Sequence, residues 1–291
     1  MQIRGSIPIL WTQVPGYGWD PPVEINPDRE LNKEAMGKHI DEQIEKYGKL
    51  KLVNLIDKEG AQKRLGDSLN DILKELKNKD ADCVWFDFHE ECKNMKWNNL
   101  SKLMEIINKD VEAFGYFSGT IEFPTRNRVT ISKTQSGVIR TNCLDSLDRT
   151  GVVQSVIARG ILHSQLHEVK LESSSTRKEN VFEPFDNPLM EHIFRSLWTN
   201  TGDQLSVQYS GTKALKTDFT RTGKRTTMGA IWDGKNGLQR YYIGRFADGY
   251  QQDVLELAAG TIDSANEEVK DREFINPAIL GLATVSKAYK M

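Results

Sequence analysis

The segment that most constrains the fold of this chain is Gly137–Gly160, which reads GVIRTNCLDSLDRTGVVQSVIARG. Val138 and Ile139 indicate the end of a short buried strand, and the apolar residues after the loop recur at helical spacing. The segment therefore predicts a strand that passes through a short loop into a helix N-terminus. Unpaired backbone N–H groups and the positive end of the helix dipole favour an anion at such a position.

The loop between this strand and this helix carries a Cys, five further residues, an Arg and a hydroxyl residue, namely Cys143, Arg149 and Thr150. A thiol pKa of about 8.5 falls to roughly 3.5 to 7.5 at a helix N-terminus, so we expect a Cys143 thiolate that attacks phosphorus at neutral pH. Arg149 is predicted to grip two phosphate oxygens and to stabilise the charge that develops during transfer. Thr150 is predicted to hydrogen-bond the sulfur and ease its departure.

Two carboxyl groups in the same loop are candidates for the general acid that protonates the leaving alkoxide. Asp148 is the first choice because it adjoins Arg149, and Asp145 is the second. Asn142 and Ser146, which flank Cys143 in the loop, are predicted to contact the substrate.

The string RTNCLDSLDRT resembles the signature loop of the Sac family of phosphoinositide phosphatases, which reads Cys-x-Asp-Cys-Leu-Asp-Arg-Thr-Asn. Ser146 stands where the family has a second Cys, and Gly151 stands where it has Asn. A bare Cys-x5-Arg is more often a buried cysteine, so the longer match carries the inference. The resemblance implies a Cys-x5-Arg phosphatase-like fold and a phosphocysteine intermediate, and it implies no metal ion and no redox cofactor.

Further segments resemble the same family: RGSIPILW near the N-terminus, FDFH at 86–89, and TNTGDQLSVQYSGTKALKTDFTRTGKRT with the RYY and DGYQQD runs after it. Asp87 and His89 at a predicted strand end are expected to orient the loop, position water or donate a proton, and a purely structural pair is the equal alternative. The Gly- and Thr-rich segment holds five cations against Asp218 alone: Lys213, Lys216, Arg221, Lys224 and Arg225.

The cations in this segment are predicted to attract phosphoinositide headgroups at membrane surfaces, the alternative being an ordinary solvated loop. Each basic residue near an anionic leaflet contributes about 1 kcal/mol of attraction.

The order of apolar patterns predicts an α/β fold with a largely parallel central sheet flanked by helices. Helices are predicted at Ala35–Tyr47, Gln62–Leu76, Trp97–Phe114 and Leu189–Trp198, and strands at Lys51–Ile56 and Cys83–His89. Tyr241, Tyr242, Ile243 and Phe246 are expected to pack a core helix. Ligands of parallel sheets bind at the carboxyl ends of the strands, where the Cys143 loop is expected to lie.

Composition limits the class of protein. With 291 residues, 38% of them hydrophobic and 27% charged, the chain is typical of globular proteins. The net charge of -2 gives no general attraction to nucleic acid, and three Cys are too few for a disulfide framework. No apolar stretch is long enough to span a membrane. We therefore expect a cytoplasmic protein, peripheral at membranes, with a catalytic region at 1–260 and a helical extension at 261–291.

The resemblance also implies that the family's domain has a substantial region before the RGSIP segment. A partner chain that supplies this region, and exposed strand edges, are therefore expectations. Two alternatives to a lipid phosphatase remain open from the sequence. One is a Cys-dependent phosphatase of proteins or of water-soluble inositol phosphates. The other is a phosphoinositide-binding or scaffolding module, or a half-domain that is inactive without its partner.

Overall fold

The computed structural model describes residues 1–13, 22–93, 96–121, 129–171, 182–215, 217, 221, 226–246 and 248–260. The chain divides into two compact units, and the main division falls between Trp198 and Thr199. The predicted extension at 261–291 lies outside the described residues.

The first unit is built on a four-stranded sheet in the order β1-β8-β4-β5, in which every pair of neighbours is parallel. Its elements are β1 Gln2–Gly5, β2 Trp11–Gln13, β3 Val23–Ile25, α1 Arg29–Tyr47, β4 Lys49–Asn54, α2 Lys63–Leu76, β5 Ala81–Trp85, α3 Phe88–Glu91, α4 Leu100–Phe114, β6 Ser118–Ile121, β7 Val129–Lys133, β8 Gly137–Asn142, α5 Asp148–Glu168 and the first part of α6 Pro188–Ser210. The predicted α/β class with a parallel central sheet flanked by helices is confirmed.

The two central strands are buried along almost their whole length, because helices cover both faces of the sheet. All six residues of β8 are buried, as are the last five of β4. Helices α1 and α2 contact each other and the sheet, and α4 and α5 contact each other and β8. The core between the sheet and the first helix pair includes Met36, Ile40, Leu52, Leu65 and Leu69.

The predicted helices of this unit are present, and their ends follow local capping. Helix α1 begins at Arg29, six residues before the predicted start, because the Asp28 side chain accepts a hydrogen bond from the Leu31 N–H at 3.0 Å. It ends at Tyr47, and the next residue, Gly48, has a φ of 81° that suits glycine and lies where an added Cβ would be 2.2 Å from the Ser136 carbonyl oxygen. The predicted helix starts at 62 and 97 fall in 3₁₀ turns that lead into α2 and α4.

The predicted strand Cys83–His89 is too long, since β5 ends at Trp85. The Asp87 carboxylate accepts a hydrogen bond from the Glu90 N–H at 3.0 Å and so caps the short helix α3. His89 therefore lies on the first turn of a helix that follows a strand end.

The second unit is helical in its described part. It contains the end of α6 from Thr199 onward, α7 Thr227–Phe246 and α8 Asp248–Ala259. The predicted helix Leu189–Trp198 continues to Ser210, so the TNTGDQLSVQYS stretch is helical and not part of a loop. The expected core packing of Tyr242 and Phe246 is wrong, because these side chains are 62% and 70% exposed. Their apolar spacing marked a helix face but did not identify what covers it.

Candidate active site

Cys143 is the first residue after β8, at the carboxyl edge of the parallel sheet. Three strand ends meet there, since Asn142 is in register with Gly5 of β1 on one side and with Asn54 of β4 on the other. The Cys143 N–H donates to the Gly5 carbonyl oxygen at 3.3 Å. The loop therefore lies where ligands of parallel sheets bind, and α5 begins five residues later at Asp148.

The Cys143 thiol is fully buried and donates to Asp145 Oδ1 at 3.3 Å. The same oxygen accepts the Leu147 N–H at 3.1 Å, so Asp145 ties the loop together. Burial, aided by the Asp145 charge, raises the pKa of Cys143 to about 11, and the opposing effects of Arg149 and the Ser146 N–H are smaller. The expected low thiol pKa is wrong in this arrangement, because desolvation and a neighbouring carboxylate outweigh the helix end.

Arg149, on the first turn of α5, is held by the residues that follow β4. Its Nη1 atom lies 3.4 Å from the Leu55 carbonyl oxygen, 3.5 Å from Asp57 Oδ1 and 3.3 Å from Gln62 Oε1. These are long contacts, and all three use one nitrogen of the guanidinium. Nε and Nη2 make no hydrogen bond to another described residue, so their N–H donors remain for a ligand.

Asp57 links Arg149 to His89, whose Nδ1 lies 2.8 Å from Asp57 Oδ1. Burial alone would raise the pKa of Asp57, but the hydrogen bond with His89 and the electrostatic interactions with His89 and Arg149 lower it overall. Asp87 accepts the Lys58 N–H at 2.8 Å and thereby holds the segment that carries Asp57. The two residues of the FDFH segment are thus connected to Arg149 through the segment after β4, an arrangement that suits the expected orienting role.

Several buried polar groups at this edge of the sheet have no hydrogen-bond partner among the described residues. They include Thr150 Oγ1, Asn142 Nδ2 and Asn54 Nδ2. All three residues are fully buried, while Asn142 Oδ1 accepts from the Arg140 guanidinium. Buried polar groups are nearly always paired in folded proteins, so a cluster of unpaired ones beside Cys143 favours a site that a polar ligand completes.

Arg4 is a residue of the site that the sequence analysis missed. Its guanidinium donates to the carbonyl oxygens of Ser146 and Leu147, the latter at 2.8 Å, and it lies 3.4 Å from Ser146 Oγ. Burial lowers the pKa of Arg4, while the nearby Cys143, Asp145 and Asp148 charges oppose that effect. The resemblance of the RGSIP segment was the available signal, but only the pairing of β1 with β8 brings Arg4 to the loop.

The two positions that depart from the Sac loop pattern have different surroundings. Ser146 has a positive φ of 55°, and its predicted substrate-contacting hydroxyl lies within reach of Arg4. At Gly151 an added Cβ would meet no atom within 4 Å.

The predicted basic segment belongs to the second unit. Lys213 and Arg221 are exposed there, and Lys216, Lys224 and Arg225 lie outside the described residues. Its binding of headgroups stays a prediction.

The described residues lack two features, a metal-binding cluster and a membrane-spanning helix. In those ranges no cluster of three or more His, Cys, Asp or Glu side chains is placed to hold a metal ion. None of the helices in the described part of the chain combines the length and the apolar character needed to cross a membrane.

Comparison with known proteins agrees with the loop pattern. Residues 1–93 match the SacI homology domain. The chain is 41% identical over 260 residues to phosphatidylinositol-3-phosphatase SAC1 of Drosophila melanogaster, covering 89% of this chain and 42% of the fly protein. It is 35% identical over 294 residues to SAC1-B of Danio rerio, covering 98% and 48%, and 36% identical over 261 residues to SAC1 of Saccharomyces cerevisiae, covering 89% and 40%. The chain spans less than half the length of these relatives. The chain thus contains a match to the SacI homology domain and is similar to these proteins over at least 89% of its own length.

Proposed function

We propose that this chain forms the reactive part of a phosphoinositide phosphatase of Cys-x5-Arg type, which removes a monoester phosphate from the inositol ring through a phosphocysteine intermediate. The observation that carries the proposal is the position of Cys143 at the carboxyl edge of a parallel sheet, with Arg149 and Thr150 on the first turn of the following helix. The names of the relatives supply the substrate class, phosphatidylinositol phosphates.

The phosphate group binds at the start of α5. The N-cap residue Leu147 offers no side-chain hydrogen bond to the first turn, which leaves backbone N–H groups available to phosphate oxygens. Arg149 contributes Nε and Nη2, and Thr150 contributes its unpaired hydroxyl. Arg4 holds the Ser146 and Leu147 carbonyl groups away from the anion and adds a positive charge behind the loop.

The raised pKa of Cys143 means that its proton needs an acceptor, and Asp145 is in contact with the thiol. In the first step the proton passes to the Asp145 carboxylate and the sulfur forms a bond to phosphorus. The bond between phosphorus and the ring oxygen breaks, and the leaving alkoxide takes a proton from a carboxylic acid of the loop. Asp145 holds that proton after the transfer, which favours it over Asp148 in this role.

In the second step water attacks the phosphocysteine. Asp145, again a carboxylate, accepts a proton from the water, the phosphorus–sulfur bond breaks, and inorganic phosphate leaves. Thr150 donates a hydrogen bond to the departing sulfur. The charge of Arg149 works to lower the pKa of Cys143, which favours loss of the thiol proton in the first step.

The test is phosphate release from a panel of short-chain phosphoinositides, with phosphatidylinositol 3-phosphate first because three of the relatives are named for it. We expect release that disappears in Cys143→Ser and persists in Cys83→Ser, a change at a partly buried thiol of β5. A phosphotyrosine peptide hydrolysed in preference to every lipid would replace the lipid by a protein substrate. Lipid binding without release by the folded chain would instead support the binding module or the half-domain.

A further inference from the structure

A group of buried polar side chains lies on the face of the sheet that α1 and α2 cover. Side chains alternate between the two faces along a strand, and Leu52 and Val138 pack in the core beneath α1 and α2. Asn54 follows Leu52 at an interval of two, and Arg140 and Asn142 follow Val138 at the same interval. These three side chains therefore lie on that face and not on the face that α5 covers. We refer to Arg140, Asn142 and Asn54 as the donor cluster.

The members of the donor cluster are neighbours across the sheet. Asn142 is in register with Asn54 of β4 and with Gly5 of β1, and neighbouring strands lie about 4.8 Å apart. The Arg140 guanidinium lies over Gly5, where an added Cβ would be 2.5 Å from Nη2. Its Nη1 atom donates to Asn142 Oδ1 and, at 3.1 Å, to the Ser6 carbonyl oxygen. The two amides and the guanidinium thus form one polar layer at the carboxyl edge of the sheet.

Both amides of the cluster have a bonded oxygen and an unused nitrogen. Asn142 Oδ1 accepts from Arg140, and Asn54 Oδ1 accepts the Ile56 N–H at 3.3 Å. A guanidinium and a backbone N–H only donate, so each amide must turn its oxygen towards them. The two Nδ2 atoms have no hydrogen-bond partner among the described residues, although both asparagines are 0% exposed. Two adjacent buried NH2 groups therefore need an acceptor that the described part of the chain does not supply.

The charge of Arg140 distinguishes an anion from a water molecule as that acceptor. Arg140 is 5% exposed, and its contacts to described residues are neutral oxygens. Burial lowers the pKa of Arg140 to about 10, and no described carboxylate opposes the shift. The same charge acts on His39 of α1, whose pKa is lowered by burial and by Arg140. Water would satisfy the amide donors only, whereas an anion would also compensate the buried charge.

We infer that the donor cluster binds one small inorganic anion, with chloride as the simplest candidate. The two amide nitrogens donate to the ion, and the Arg140 charge offsets its burial. Because both asparagines are fully buried, an ion of this size suits the site better than a lipid headgroup. In this arrangement the Asn142 amide serves the ion in place of the substrate contact expected from the sequence.

This anion site goes beyond the proposed function. It lies on the other face of the sheet from α5, and it needs neither Cys143 nor a phosphoinositide. Since Asn142 directly precedes Cys143, a bound ion fixes the strand end from which the reactive loop starts.

The first experiment is thermal unfolding of the full chain at constant ionic strength, with chloride replacing gluconate in steps. A ligand that binds only the folded chain raises the midpoint, and we expect a saturable rise of about 2 to 3 °C at about ten times the Kd. Arg149→Ala should show the same rise, because Arg149 belongs to the phosphate site. Loss of the rise in Arg149→Ala would place the anion at the start of α5 and overturn the inference.

Asn54→Asp tests the cluster itself. The carboxylate keeps an oxygen for the Ile56 N–H and places a fixed negative charge beside Arg140, so the chloride-dependent rise should disappear. The matched control is Asn98→Asp, which adds the same charge at an exposed position of the first unit and should retain the rise. A rise that persists in Asn54→Asp would assign the effect to another anion site and contradict the inference.

Crystals of the unchanged chain soaked in bromide give a readout that does not depend on the folding of a variant. We expect an anomalous peak in contact with Asn54 Nδ2 and Asn142 Nδ2. Density for a water oxygen there without an anomalous signal, together with midpoints that do not respond to chloride, would overturn the inference and leave the donors to a buried water. Phosphate release from lipids tests the proposed function separately, because the midpoints are measured without substrate.

Discussion

Helix α5 carries two arginines ten residues apart, Arg149, which is partly buried, and Arg159, which is buried, and their surroundings differ sharply. Arg159, in the middle of the helix, places Nη1 2.6 Å from Glu191 Oε2 and Nη2 3.0 Å from Glu191 Oε1. Its guanidinium also lies 4.6 Å from the Phe194 ring centre. Arg149, on the first turn, contacts described residues at 3.3 to 3.5 Å through Nη1.

The guanidinium of Arg159 is paired with the Glu191 carboxylate, whereas Nε and Nη2 of Arg149 make no hydrogen bond to another described residue. A bidentate pair between buried groups satisfies both charges and leaves nothing for a ligand. Glu191 also accepts bonds from Arg195 and the Phe185 N–H, and although burial opposes its charge, these partners lower the pKa of Glu191 to about 2. We therefore assign Arg159 to stability and Arg149 to ligand binding.

The largest effect should come from breaking the Arg159 pair. In Glu191→Gln the guanidinium keeps its burial but loses its counter-charge, and the free energy of unfolding should fall by about 3 to 5 kcal/mol. Denaturant titration measures this fall. The control is Glu75→Gln, whose exposed partner Arg29 stays solvated and whose loss should leave the midpoint nearly unchanged. Equal midpoints for the two variants would contradict the assignment.

Low pH should remove the contribution of the Arg159–Glu191 pair to the free energy of unfolding. The pKa of Glu191 is lowered in the folded chain to about 2, whereas the pKa of a Glu in the unfolded chain is about 4.3. The stability that depends on ionised Glu191 is therefore present above about pH 4.3 and is lost as the pH falls towards about 2. The stability difference between the unchanged chain and Glu191→Gln should narrow over that range, and a difference that stays constant would argue against the depressed pKa.

Removing Arg149 should act on rate and leave stability almost unchanged. Arg149→Ala loses donors aimed at the developing phosphate charge, for which a loss of about 10²- to 10³-fold in kcat is typical. Its three long contacts to the residues after β4 contribute little to folding. Phosphate release together with thermal unfolding checks this prediction. A variant that unfolds but retains its rate per folded molecule would reverse the roles of the two arginines.

A smaller effect concerns the charge of the thiol. Asp145→Asn removes the carboxylate beside Cys143 and so favours the thiolate, which should bring the pKa of Cys143 below about 11. Thiolate absorbance, taken as the difference from the same protein with Cys143→Ser, follows this pKa. Asp148→Asn is the matched control and should shift it less, since Asp145 is the carboxylate in contact with the sulfur. A larger shift of the Cys143 pKa in Asp148→Asn than in Asp145→Asn would make Asp148 the first candidate for the general acid.

The smallest effect should come from His89, which is linked to Arg149 through Asp57. His89 is largely exposed, and exposed ion pairs contribute up to about 1 kcal/mol, so His89→Gln should lower kcat by at most about fivefold. A role in orienting Arg149 predicts that this loss disappears in an Arg149→Ala background. A loss that persists there would give His89 an independent part in the reaction.

Local patterns in the sequence were sufficient for the strand, loop and helix around Cys143. Val138 and Ile139 do lie in a buried strand, but they stand near the start of β8 and the strand ends at Asn142. The helical spacing from Val152 onward does mark α5. The helix α4 and the parallel character of the sheet also follow from periodicity and from the alternation of elements. These features depend on neighbours within a few residues, which the sequence displays directly.

The tertiary structure decided what those elements meet. Arg4 reaches the loop because β1 pairs with β8, which lies more than 130 residues later in the sequence. The pKa of Cys143 depends on burial and on the position of Asp145, and the contacts of Arg149 depend on residues after β4. The exposure of Tyr242 and Phe246 likewise follows from which side of α7 packs. Spacing defines the face of a helix and the order of a loop, whereas desolvation and charge are properties of the surroundings that distant segments create.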